Sequence, residues 1–254
     1  MASIFGPNEN VQAVFGSLQA VLGPGEIVQY HVGGDAEYRL AGLHRQRAVV
    51  AEVHTDAGVL HSVRFAVDLG GLPITLLLNH RKNTTIHAVA EVRTGDADFD
   101  QVFLLNGFPA EVLREALDAP TRQWLLATYR EKTPTLETEH GALSLTAILR
   151  ASKGLWSLPF GREIQPAEVV YWFDALLSIA DRLTGSFRSL AESIARTHGA
   201  SAAEQWVRQH TEAMDARASR RKKFRLLLFA VLVGLPLLVT FAVVAVVLLL
   251  MLLQ

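Results

Sequence analysis

The chain of 254 residues contains no cysteine. Disulfides, thiolate metal sites, cysteine nucleophiles and iron–sulfur clusters are therefore excluded, although the absence fits either redox compartment. Charge is also scarce, at 19% of residues against 50% hydrophobic. That balance is too apolar for a disordered chain and points to a membrane segment. No G-x-x-x-x-G-K-[ST] phosphate loop, G-x-S-x-G elbow or G-x-G-x-x-G turn occurs, so nucleotide hydrolysis and serine-hydrolase chemistry lack their usual sequence support. Met1 to Pro7 lacks the basic and apolar regions of a secretory signal, and Ala2 excludes the myristoylation pattern.

The charge that is present lies unevenly. Residues 1–216 hold 18 Lys and Arg against 25 Asp and Glu, a net −7. Six cations follow without an anion: Arg217, Arg220, Arg221, Lys222, Lys223 and Arg225. Residues 226–253 are then 28 consecutive uncharged residues, 12 Leu and 7 Val among them, with Gly234, Pro236 and Thr240 as the departures from a hydrocarbon-like surface. About 20 residues cross a hydrocarbon core ~30 Å thick. At about 1.5 Å per residue the run is about 42 Å long, so a spanning helix has to tilt, kink near Pro236 or leave its ends among headgroups. A transmembrane tail anchor over 226–253 is expected, preceded by a helical, basic juxtamembrane stalk over 201–225. Lys and Arg beside a membrane helix hold their side in the cytoplasm, which places residues 1–200 in the cytosol. The acidic remainder of the chain argues against nucleic acid as the partner of the basic run; a lipid bilayer is the partner it implies. Asn83-Thr84-Thr85 matches a glycosylation sequon that a cytosolic domain would never use. Ala230 and Gly234 form a small-x-x-x-small pair, a route to a homo-oligomer.

Residues 1–200 read as an α+β domain, mostly antiparallel sheet packed with helices, with a division into two subdomains near 105–135 left open. Asn8 caps a helix in which Val11, Val14, Phe15, Leu18, Val21 and Leu22 share a face, and Gly23-Pro24 stops it. From Ile27 to Val92 the period changes to two. Val59, His61, Val63, Phe65, Val67 and Leu69 alternate with more polar neighbours, and shorter runs at 48–53, 74–78 and 86–92 look similar. No crossover-length helix separates these strands, which favours antiparallel pairing. Helices are expected from Pro109 to about Leu117 and from Asp118-Ala119-Pro120 onward, then a hairpin around His140-Gly141. An amphipathic helix starts at Pro166 with Val169, Val170, Phe173, Leu176, Leu177, Ala180 and Leu183 on its core side. Further helices are expected over 186–196 and from Ala202, the latter capped by Ser201 with Glu204.

Gly95-Asp96-Ala97-Asp98-Phe99-Asp100-Gln101-Val102-Phe103 resembles the G-D-x-x-F-D-x-x-F signature of an uncharacterised family of bacterial membrane-associated domains of unknown function. The similarity covers roughly residues 86–183. It extends to Leu104-Leu105-Asn106-Gly107, to Leu117-Asp118-Ala119-Pro120-Thr121-Arg122, which is shifted slightly from the Leu-x-x-Pro-x-x-Arg element of that family, to Leu143-Ser144-Leu145, and to the aromatic-rich loop at 155–160. The resemblance implies membrane association and brings no activity with it. From spacing alone, Phe99 and Phe103 at i, i+4 share one face of a helical turn or of a strand, and core packing accounts for both.

Candidate chemistry is sparse. Asp96, Asp98 and Asp100 mimic the first positions of a calcium loop, but the required Gly and bidentate Glu positions hold Gln101 and Gly107, which rejects an EF-hand. A looser cation site or a turn with Asp caps remains. Six of nine histidines, His31, His44, His54, His61, His80 and His87, fall in the expected sheet without metalloenzyme spacing. His54, which shares a strand face with Glu52, and His61 are the metal candidates, together with the acidic triplet. Tyr171-Trp172-Phe173 point in different directions on a helix, with burial the simplest account. No cofactor is indicated. The reading is a tail-anchored, non-enzymatic adaptor, regulatory or structural module with a protein partner. The alternative is a membrane-tethered enzyme or small-ligand sensor built on the sheet histidines and the Asp96, Asp98 and Asp100 segment.

Overall fold

The structure is a computed structural model that describes residues 9–22, 27–32, 35–56, 59–81, 91–129, 133–139, 141–148 and 166–229. It falls into two units, Met1–Val207 and Arg208–Gln254.

In the first unit, helix α1 (Glu9–Leu22) precedes five strands, β1 (Ile27–Val32), β2 (Asp35–His44), β3 (Arg47–Asp56), β4 (Val59–Asp68) and β5 (Thr75–His80). The short helix α2 (Ala97–Val102) runs directly into β6 (Phe103–Phe108). Helices α3 (Ala110–Ala116) and α4 (Ala119–Tyr129), the hairpin β7 (Thr133–Glu139) and β8 (Ala142–Ile148), and α5 (Pro166–His198) complete it, and α6 (Ala200–Phe229) carries the chain into the second unit. The strands form one sheet in the order β1-β2-β3-β4-β8-β7-β5-β6, with every named pairing antiparallel. The α+β class with a large antiparallel sheet is thus as the alternating periodicity implies. Residues on both sides of the 105–135 stretch pair within this sheet, and the stretch belongs to the one compact unit.

One face of the sheet makes the core. Leu40, Val53, Val63, Phe65, Leu78, Leu105, Leu136 and Leu145 are buried against α1, α3 and α5. Period two in the strands puts every second residue on this side, and the helices answer at 3.6, as Val169, Trp172, Phe173, Leu176, Leu177, Ala180 and Leu183 do on α5. Full burial of each such side chain contributes roughly 1.5–3 kcal/mol. Phe173 sits 5.9 Å from Phe65 and 5.7 Å from His44, ring centre to ring centre, which locks α5 over the middle strands. Close approach is needed as well: a Cβ on Gly42 would lie 3.2 Å from the carbonyl oxygen of Leu22, where α1 ends against β2.

Three expectations change. Helix α5 does not break before Ser186 but runs for 33 residues. Gly185 is exposed there and costs only about 1 kcal/mol in a helix, while buried Leu183 and Phe187 hold both sides to the core. The Ser201 capping box does not form, because Ser201 already lies within α6. Gly199, at φ +91°, makes the corner instead, and its carbonyl accepts from Ala202 and Ala203 at 3.2 and 3.3 Å. Trp172 and Phe173 are buried and Tyr171 is 56% exposed, edge-on to Trp124.

The second unit is described to Phe229, and its described residues are the rest of α6. Among the described residues no helix is long and apolar enough to cross a membrane. Of the expected span over 226–253, residues 226–229 are helical and the remainder lies outside the described residues, as do the sequon at Asn83, residues 86–90 of the strand expected over 86–92, and the 155–160 loop; Glu91 makes an isolated antiparallel bridge to Asn106.

Candidate functional site

The signature segment folds into a network of caps. Gly95 turns the chain at φ +85°, and Asp96 takes the N-cap position of α2, where its Oδ1 accepts from the Phe99 amide at 3.2 Å. Its other oxygen accepts from Arg122 Nε at 3.0 Å, and the same guanidinium donates to the Leu117 carbonyl at 2.6 Å. Asp100, buried, reaches back over the turn: Oδ1 accepts from the Thr94 amide and hydroxyl at 3.1 and 2.9 Å, Oδ2 from the Gly95 amide at 3.2 Å. Phe99 and Phe103 stack at 5.0 Å in the core, across the junction where α2 becomes β6. Asp98 is exposed.

A second cap repeats the logic. Asp118 Oδ1 accepts from the Thr121 amide at 3.0 Å at the start of α4, and Oδ2 from Arg182 of α5 at 3.0 Å. Arg182 also donates to the Ala116 carbonyl at 3.1 Å and to the Thr121 hydroxyl at 2.6 Å. The Phe99 amide first, then Arg122, holds the Asp96 carboxyl below its ordinary range. Burial is the largest single influence on Asp118 and raises it, but the Thr121 hydroxyl and amide with the charges of Arg182 and Arg122 leave it lowered. Arg81 adds a further tie, donating to the Asp100 carbonyl at 2.6 Å and pairing with Glu91. The three aspartates of the segment therefore diverge: one caps, one is solvated, one closes the turn. Both oxygens of Asp96 and of Asp100 already accept from protein donors, which leaves a cation little to coordinate.

The opposite face of the sheet, away from the helices, holds the other candidate. Arg39, Glu52 and Arg64 stand side by side on β2, β3 and β4. Glu52 lies 2.8 Å from Arg64 and 3.7 Å from Arg39, and Arg64 lies 3.7 Å from Glu139. His54 is directly opposite Glu37, with Nδ1 3.8 Å from the carboxylate. One ligand atom each from Glu37, Glu52 and His54 lies within 4.8 Å of the others, the one such group among the described residues. The i, i+2 spacing of Glu52 and His54 is the visible signal; Glu37 and Arg39 become neighbours only through the β2–β3 register and Arg64 through the β3–β4 register, neither of which the sequence discloses.

The remaining candidates are dispersed. The register of β3 with β4 shifts between His54 and Thr55 and leaves His61 opposite no residue, its Nδ1 buried without a hydrogen-bond partner. His61 thus joins neither the Glu37 group nor the acidic segment. His44 Nδ1 lies 3.2 Å from the Val21 carbonyl at the end of α1, His80 is buried in β5, and His31 is in β1. His87 lies outside the described residues. Arg217, Arg220, Arg221, Lys222, Lys223 and Arg225 all fall within α6.

No protein family and no curated protein matches the chain. Among solved structures, the crystal structure of the mycobacterial trehalose monomycolate transport factor A, TtfA, is similar over 70% of this chain and 94% of that chain, at 10% identity and a TM-score of 0.40. A likeness at that level carries no argument about function, which rests on this chain's own residues.

Proposed function

We propose that this chain is a membrane-anchored, non-enzymatic adaptor, regulatory or structural module whose α+β domain faces the cytosol and meets a protein partner there. The observation that carries the reading is the order of segments along one continuous helix. Helix α6 runs without interruption through six cations and into the first residues of a 28-residue uncharged stretch. Cations at the membrane-proximal end of such a stretch set the cytosolic side, and the stretch exceeds the ~20 residues a bilayer requires. Membership in the family with the G-D-x-x-F-D-x-x-F signature is part of the same proposal. In this chain the signature aspartates serve capping and turn closure, which supports a folding role for them.

The second reading, a tethered enzyme or small-ligand sensor, now rests on Glu37, Glu52 and His54 and no longer on the acidic segment. Fractionation and protease protection separate the alternatives for attachment. The full chain should stay with membranes through carbonate extraction, and a chain ending at Asp215 should be soluble. Its domain should resist protease in intact spheroplasts and be digested in inverted vesicles. Digestion in spheroplasts, or carbonate-resistant sedimentation of the shortened chain, would overturn the reading.

A further inference from the structure

Strand β1 lacks the features that keep sheet edges from pairing. Exposed edges ordinarily carry Lys, Pro, a bulge or an inward charge. Ile-Val-Gln-Tyr-His-Val contains no Lys, Arg, Asp, Glu or Pro. It runs against β2 in unbroken one-to-one register from Ile27 opposite Leu40 to Val32 opposite Asp35. No described strand lies on its other side.

Its polarity is also out of step with its surroundings. Buried Leu40 and Tyr38 put their partners Ile27 and Gln29 on the helix-covered side, so Val28 lies on the open face, and strand alternation assigns positions 30 and 32 to the same row. There the neighbouring strands carry Glu37, Arg39, Glu52, His54 and Arg64, and an apolar row borders a charged one. Val28 is 36% and Ile27 40% exposed, two of the four large exposed hydrophobics among the described residues.

We infer that β1 pairs with β1 of a second copy of this chain, antiparallel about a two-fold axis normal to the sheet at Tyr30. Such an axis preserves each copy's faces, so residues can stand opposite one another only when both lie on the same face. Centred on Tyr30, the register sets Val28 opposite Val32 of the second copy twice, Tyr30 opposite itself, and Gln29 opposite His31. Apolar meets apolar on the open face and polar meets polar on the other. Centring on Gln29 instead would set Ile27 against His31. The absence of charge removes like-charge repulsion between identical strands, and this self-matching order favours a second copy over a foreign strand. The inference does not depend on the membrane reading.

The full chain in detergent micelles, sized by light scattering, tests it. Because the chain has no cysteine, an introduced one reports only on its own position. Tyr30→Cys places sulfurs across the axis at a Cα separation of about 4.5–5.5 Å, within disulfide range, whereas Gln29→Cys meets its copy diagonally at about 7–8 Å, beyond it. The native protein should be dimeric, Tyr30→Cys should oxidise to a covalent dimer, and Gln29→Cys should not. Val28→Lys should give monomers with an unchanged circular dichroism spectrum. A monomeric native chain, a dimer that survives Val28→Lys, or cross-linking at Gln29 in preference to Tyr30 would overturn the inference; the latter two would place the contact elsewhere, as through the apolar stretch.

Discussion

The guanidinium of Arg122 lies 3.0 Å from the carboxylate of Asp96, and through it the signature segment is tied to the start of α4. The segments 95–103 and 117–122 are thus in direct contact, and the contact bridges the N-termini of two helices. Replacing Asp96 by Ala removes a cap and leaves Arg122, with only 16% of its side chain exposed, without the carboxylate it pairs with. A loss of about 1–2 kcal/mol in urea denaturation is expected. Asp96→Asn, which still caps, should lose about half as much or less. Equal losses for the two variants would show that the ion pair and not the cap matters.

The same carboxylates give the domain an acid-sensitive component. Asp96 and Asp118 are both held below the ordinary carboxylate range in the folded chain. The unfolded chain therefore binds protons first as pH falls. Their contribution is complete above the unfolded value near 4 and disappears as pH drops through the lower folded values. The urea midpoint of the native protein should fall between about pH 5 and pH 3, with a shallower fall in the Asp96→Asn, Asp118→Asn double variant. Parallel curves would refute this assignment of the acid response.

The Glu37, Glu52 and His54 group should not hold a transition metal tightly. Zinc takes three or four protein ligands at about 2.0–2.3 Å, and all must give up other partners. Here Glu52 already sits 2.8 Å from Arg64, with Arg39 at 3.7 Å. Elemental analysis of protein purified without chelator should find metal well below one equivalent. Stoichiometric zinc, iron or manganese lost on His54→Ala would favour the enzyme or sensor instead.

Sequence pattern shows clearly where burial and period agree and fails where pairing decides. The alternation in β4, the helix that ends at Leu22 and the hairpin around Gly141 are visible because each residue's face follows from its neighbours alone. The junction at Phe103 is not. Phe99 and Phe103 are spaced for one helical face, yet the chain leaves the helix at Phe103, because β6 has to lie in register with β5, His80 opposite Phe103. Strand β2 is partly hidden for a related reason: Asp35, Glu37 and Arg39 alternate with Ala36, Tyr38 and Leu40, but Ala41-Gly42-Leu43 break the alternation, and only pairing with β3 carries the strand on to His44. The acidic triplet advertises a cation loop, while its actual use depends on Thr94 and Arg122, which the spacing of the aspartates does not reveal.

Gly107 offers the sharpest test of how the signature region is built. It lies in β6 at φ +152°, opposite Leu76, where an added Cβ would stand 2.0 Å from the Thr75 carbonyl oxygen and 2.8 Å from Leu113 Cδ1. Both the backbone and a core side chain would have to move, in the strand that follows α2 and pairs with β5. Gly141, at φ +80° in the β7–β8 turn, has nothing within 4 Å of such an atom. The two glycines thus separate backbone strain from steric conflict. Gly141→Ala should cost only the left-handed penalty, about 1–2 kcal/mol. Gly107→Ala adds a clash with main chain to a similar strain and should cost about 3 kcal/mol or more, enough to unfold a marginal domain. Thermal and urea melts of the two variants decide it: comparable losses would mean that β6 shifts easily away from β5 and that the close approach at Thr75 is not required by the fold.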